Sequence, residues 1–149
     1  MNLEEKVNQQ MKDAMKAKDQ AALRALRAIK SEILLFKTSG ASKELDDATE
    51  IKILQKMVKQ RRDSASIYAE QGRDDLATTE NEEIEVISQF LPKQMDEQEL
   101  DSFVGELVAE LGASSMKDMG RVMGEANKRL AGRAEGKMIA AAVKSRLSI

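Results

Sequence analysis

Side chains whose type and spacing could do chemistry fall in two places. Toward the C-terminal end, Lys117, Arg121, Lys128, Arg129, Arg133, Lys137 and Lys144 recur at helical intervals beside Gly120 and Gly124. Cations on helix faces can track a phosphate backbone, and glycines between them let another backbone approach closely. These seven are the RNA-binding candidates. The second place is a helical pair. Arg61 falls at the centre of an apolar arc formed by Leu54, Met57, Val58, Ala65 and Tyr68. Glu80 and Glu83 fall inside the arc of Leu76, Ile84, Ile87, Phe90 and Leu91. A charge on an apolar face needs a partner or an open cleft, because an unpaired buried carboxylate is costly or shifts its pKa. Both patterns have a plainer reading: solvated basic helix faces, and an ion pair that only fixes helix register.

The remaining composition narrows the chemistry. There is no cysteine and no histidine. That excludes disulfides, thiolate nucleophiles, histidine metal sites and a Ser-His-Asp triad, and it removes the commonest general base. The string Gly132 to Met138, GRAEGKM, fails as a phosphate loop. Its glycines are too close, no Ser or Thr follows the lysine, and no strand precedes it. Gly120 to Gly124 is no dinucleotide fingerprint either. Acidic pairs such as Glu82-Glu83 are explained by chance among 26 acidic residues. Phe36, Tyr68, Phe90 and Phe103 all fall on apolar faces, so no base-stacking platform is visible. The sequence therefore points to no catalytic residue, no cofactor and no metal.

The net charge of -2 conceals a division. Residues 1–73 carry 15 basic and 11 acidic side chains, residues 74–112 carry 1 and 12, and residues 113–149 carry 8 and 3. The acidic middle should repel nucleic acid and orient any RNA toward the basic end. No apolar run approaches the roughly 20 residues of a membrane span, so no membrane is expected. The start, MNLEEKVNQQ, is polar and acidic, unlike a signal peptide. The expected location is cytoplasmic.

Positioning falls to helices throughout, and the expected fold class is all-α, multihelical. A single proline, abundant Ala, Leu, Glu and Lys, and charged residues at 34% support it. Periodicity predicts helices over about 2–17, 20–38, 47–70, 74–91, 97–111, 116–130 and 135–147. Leu3, Val7, Met11 and Met15, spaced by four, read as one core stripe. The second helix is apolar on more than one side, with Leu34 and Leu35 opposite the main stripe, and crowding in the bundle is the expected cause. Asp47 to Glu50 reads as a capping box, as does Asp96 to Glu99, and Ser39 to Asp46 reads as a loop. Gly72 centres an antiparallel hairpin. Arg61 lies eleven residues before it and Glu83 eleven after, which predicts an ion pair at one level, with Glu80 as competitor. Pro92 divides the chain into an N-terminal helical domain, 1–92, and a C-terminal three-helix domain, 93–149.

Taken together, LRALRAIKSEI (23–33), KQRRDSASIYAEQGRDDLATTENEE (59–83), QFLPKQM (89–95), DMGRVMG (118–124) and GRAEGK (132–137) resemble the GatB/YqeY family. The same module is similar to the tail domain of the B subunit of glutamine-dependent aspartyl/glutamyl-tRNA amidotransferase. That resemblance implies a link to carbon–nitrogen ligase activity with glutamine as amido donor, and a tail that contacts tRNA while other domains do the chemistry. The RNA role carries over to Met119 through Lys137, where the match lies. The expected function is thus a non-catalytic tRNA-associated module. The alternatives are a protein-interaction adaptor that docks through Leu34, Leu35 or the acidic band, and a stand-alone amidotransferase-type enzyme. The sequence names neither the RNA, the protein partner nor the oligomeric state.

Overall fold

The computed structural model describes residues 1–40 and 45–148. Among the described residues, seven α-helices and one short 3-10 turn make up the regular structure, and the fold is all-α. The chain divides into two compact units, Met1–Leu91 and Pro92–Ile149.

The first unit holds α1 (Leu3–Ala17), α2 (Gln20–Thr38), α3 (Asp47–Glu70) and α4 (Asp74–Ser88). Local chemistry starts each helix. The Asn2 carboxamide accepts from the Glu5 N–H, and Glu5 returns the bond to the Asn2 N–H, closing a capping box. Asp19 caps α2 through the Ala22 N–H at 3.1 Å. The cap of α3 is Asp46, not Asp47, and it accepts from the Thr49 N–H at 2.8 Å. Glu50, one place beyond a capping-box position, instead accepts from the Leu3 N–H at 3.4 Å and ties α3 to the start of α1. Part of the expected 39–46 loop, residues 41–44, lies outside the described residues.

Four helical faces enclose the core of this unit. Leu26, Ile29 and Ile33 of α2, Leu54 of α3 and Ile87 of α4 are almost fully enclosed, each stabilising the fold by about 1.5–3 kcal/mol relative to exposure. Two expectations change here. The α1 stripe is core only at its start: Leu3 and Val7 are buried, whereas Met15 is 61% exposed and Ala14 is buried. A spacing of four overshoots a helical turn by about 40°, so the stripe rotates off the core within three steps. Leu34 and Leu35 are not crowded by the bundle; they are 61% and 62% exposed.

The α3–α4 hairpin turns at Gly72, whose φ of 72° lies in the left-handed region. Helix α4 ends at Ser88, three residues before the expected stop. Gln89, Phe90 and Leu91 each donate backbone N–H to the residue three before, tightening the chain ahead of Pro92.

The second unit holds α5 (Glu97–Leu111), a 3-10 turn (Met116–Asp118), α6 (Met119–Arg129) and α7 (Gly136–Leu147). Asp96 caps α5 through the Glu99 N–H at 2.7 Å, and Gly112 closes it at φ 64°. Leu100, Val104, Leu107, Val122, Ala126, Leu130, Ile139 and Val143 form its core. Met116 departs from the inward stripe and is 44% exposed. The segment before α5 is held by the Met95 N–H to the Arg133 carbonyl at 2.9 Å and the Gln94 carboxamide to the Gly132 carbonyl at 2.6 Å. Among the described residues, no helix is long and apolar enough to cross a membrane.

Candidate functional site

The seven RNA-binding candidates are not equivalent in the structure. Arg129 is committed. Its two terminal nitrogens donate to the Glu110 carboxylate at 2.8 and 3.1 Å, and its Nε donates to Glu125 at 3.0 Å. The hydrogen bonds to Glu110 and Glu125 raise the Arg129 pKa further, and Arg129 holds the Glu110 carboxyl below its usual range. Arg121 donates to Asp118 at 3.3 Å. The Asp118 carboxyl is held low first by the Ser114 backbone N–H and then, more weakly, by the Ser115 backbone and Arg121. Arg133 donates Nε to the Lys93 carbonyl at 3.3 Å. Lys117, Lys128, Lys137 and Lys144 are exposed and have no ion-pair partner among the described residues.

Helix geometry groups these cations. At 100° per residue, Lys117, Gly120, Arg121, Gly124 and Lys128 fall on one exposed arc of α6 and the turn before it. A Cβ at Gly120 or Gly124 would meet nothing within 4 Å, so the backbone lies bare between the cations. Lys137 and Lys144, two turns apart, share one exposed face of α7. Arg146, which was not among the candidates, forks onto Asp101 at 3.2 and 2.8 Å and lies directly over Gly105, where a Cβ would come within 2.8 Å of its guanidinium carbon. Its signal in the sequence was a helical glycine, which marks a place for a large group to lie against a backbone.

In the first unit, Arg61 Nε lies 3.3 Å from Glu83 Oε1, and Arg61 also donates to the Met57 carbonyl at 3.1 Å. Glu83 is the buried charged residue among the described residues. Its second oxygen accepts from Arg24 Nε at 3.3 Å, and Arg24 reaches on to Glu82 at 3.3 Å. One carboxylate therefore bridges guanidinium groups from α2 and α3. At 100° per residue Arg24 lies opposite the Leu26, Ile29 and Ile33 stripe of α2. The contact spans 59 residues, beyond the reach of helical periodicity. Glu80 takes no ion pair among the described residues; burial, and then the neighbouring Glu83 charge, push its pKa up.

This arrangement can hold helices in register and present a basic surface. The four aromatic rings are all half-buried, and no cluster of three metal-ligating side chains occurs among the described residues.

A family model described as Yqey-like protein matches residues 4–147. The chain belongs to the YqeY-like family. Three curated relatives of this YqeY-like chain carry one name, "Altered inheritance of mitochondria protein 41, mitochondrial". The protein from Vanderwaltozyma polyspora is 30% identical over 116 residues, covering 73% of this chain and 62% of the relative. That from Clavispora lusitaniae is 37% identical over 105 residues, covering 66% and 61%. That from Lachancea thermotolerans is 32% identical over 107 residues, covering 70% and 57%. The chain thus spans about three-fifths of the length of the curated relatives it matches. Their names correct the cytoplasmic expectation, since the relatives are designated mitochondrial. That expectation rested on apolar content and the polarity of the first residues, neither of which specifies a compartment.

Proposed function

We propose that this YqeY-like chain is a non-catalytic, tRNA-associated module that grips RNA through its phosphate backbone. The observation that carries the reading is a set of four exposed lysines without ion-pair partners among the described residues: Lys117 and Lys128 on the arc that carries the bare backbone of Gly120 and Gly124, and Lys137 and Lys144 on one face of α7. Unpaired cations release counterions on meeting phosphate, which is where backbone binding derives its affinity. Arg121 joins them as a half-committed cation. Arg133 and Arg129 contribute less, because a new phosphate must compete with contacts already made. With the rings half-buried, recognition is by shape and backbone rather than by base identity.

The test is binding of total tRNA across a salt series. The wild-type chain should bind at low salt and weaken steeply as salt rises. Replacing the four lysines by alanine should flatten the log–log salt slope by about 3, from roughly 0.7–0.9 per lost phosphate contact. Arg129→Ala should change the slope by far less. Absence of binding at low salt overturns the reading. The exposed Leu34 and Leu35 favour a second reading, a protein-interaction adaptor, which an unchanged slope in the quadruple variant would promote. An amidotransferase-type activity is the least favoured; turnover of glutamine by purified chain would establish it.

A further inference from the structure

Two surfaces of this chain, one in each unit, are complementary in charge and apolar character. The first is the outer face of α2. Leu34 and Leu35 are the exposed leucines among the described residues; Arg27 and Lys30 lie within about 40° of Leu34 one to two turns back, and Leu35 sits about 100° round the helix from Leu34. Neither cation has an ion-pair partner among the described residues. Isolated exposed apolar side chains are ordinary on a protein surface, but two adjacent leucines flanked by free cations make a directional patch. The second surface is an open groove of about 460 Å³ along α5, lined by Met95, Asp96, Glu99, Phe103 and Glu106 among others. Phe103 and Met95 are half-buried and supply its apolar floor, while Glu99 and Glu106, two turns apart, supply a negative rim. The hydrogen bond from the Met95 N–H to the Arg133 carbonyl fixes the floor.

We infer that the α5 groove of one copy takes the outer face of α2 from a second copy of this chain. With the two helices antiparallel, Leu34 and Leu35 sit over Met95 and Phe103, Lys30 falls just over one turn further along, and Arg27 about two turns along, opposite Glu106. Charge complementarity carries the choice of occupant: the groove is acidic and the face is basic, so neither surface fits a copy of itself. The contact is therefore heterologous, joining different patches on the two copies. Its small apolar area places it with weak, transient interfaces, which form at high protein concentration. None of these residues belongs to the RNA-binding set, so the inference stands or falls independently of that reading.

Sedimentation or light scattering of the full chain over a concentration series tests it. The wild-type chain should associate at high concentration and less so in high salt. A Leu34→Asp/Leu35→Asp variant should stay monomeric, and so should a Glu99→Lys/Glu106→Lys variant. Mixing the two should restore association, because the first retains an intact groove and the second an intact face. Circular dichroism of each variant checks that it remains folded, and conservative Leu34→Met/Leu35→Met and Glu99→Gln/Glu106→Gln forms, weakened rather than abolished, serve if it does not. A wild-type chain that is monomeric throughout overturns the inference. So does a mixed pair that fails to associate, and so does association that either variant retains in full, which would mean that like patches meet.

Discussion

The two units use charge in opposite ways. In the first, Glu83 is drawn inside, 8% exposed, and joins α2 and α3 by accepting from Arg24 and Arg61. In the second, the ion pairs Arg129–Glu110 and Arg146–Asp101 lie at the surface, and four lysines have no ion-pair partner among the described residues. A shielded pair resists screening but leaves a costly orphan if one member is lost. A surface pair is worth little and leaves its neighbours available to outside charge. The first unit thus encloses one carboxylate between two guanidinium groups, whereas the second leaves its ion pairs at the surface.

Removing the bridge is the most severe way to break that contrast. Glu83→Ala should lower unfolding stability by about 3 kcal/mol, the low end for breaking a buried pair, because Arg24 can still turn to Glu82 and solvent. Glu110→Ala in the second unit should leave stability nearly unchanged, because the Arg129–Glu110 pair is open to solvent. Urea denaturation compares them. Equal losses would show that Glu83 behaves as a surface charge and that the contrast between the units is false.

Helix ends sharpen the comparison at a smaller scale. Helix α1 ends on Lys18 at φ 56°, and α5 ends on Gly112 at φ 64°, so one left-handed geometry is filled by two residue types. A side chain there costs roughly 1–2 kcal/mol, which glycine avoids. Lys18→Gly should therefore raise stability and Gly112→Lys lower it, each by about 1 kcal/mol after allowing for the extra freedom of unfolded glycine. Shifts of the denaturation midpoint in the same direction would refute this.

The smallest effect is on pH. Burial raises the Glu80 pKa, so the folded chain binds this proton more tightly than the unfolded one. Its contribution to stability is greatest at acid pH and falls as pH rises from the unfolded pKa through the raised folded value. In the second unit, Asp96, Glu110 and Asp118 are held low, so their contribution is present above their unfolded pKa values and is lost as pH falls through the lowered ones. Glu80→Gln should give a slight rise in melting temperature at neutral pH and lose that advantage below about pH 4. A variant less stable than wild type at neutral pH would mean that the Glu80 charge is used by Arg61 or Arg24.

Local chemistry was legible from residue types. Asp19 and Asp96 cap helices because a carboxylate at that place meets N–H groups two or three residues on. The hairpin was readable because Gly72 sits between two periodic segments, and its symmetry sets positions 61 and 83 at one level. The one-residue shift of the α3 cap shows the limit: Asp46 and Asp47 are both competent, and the placement of Glu50 against Leu3 accompanies the choice.

What the residues alone determined is where helices lie to within a few residues, which faces are apolar, and where cations and acids accumulate, since all of these depend on neighbours within about a turn or two. Tertiary structure decided which of those charges remain available. Arg129 and Lys128 are adjacent, yet only Arg129 meets Glu110, nineteen residues away, and that depends on how α5 and α6 pack. The same holds for Arg24 reaching Glu83, for Met15 turning outward, and for Leu34 and Leu35 going uncovered. Periodicity defines a face, but only the packing of distant elements determines what covers it.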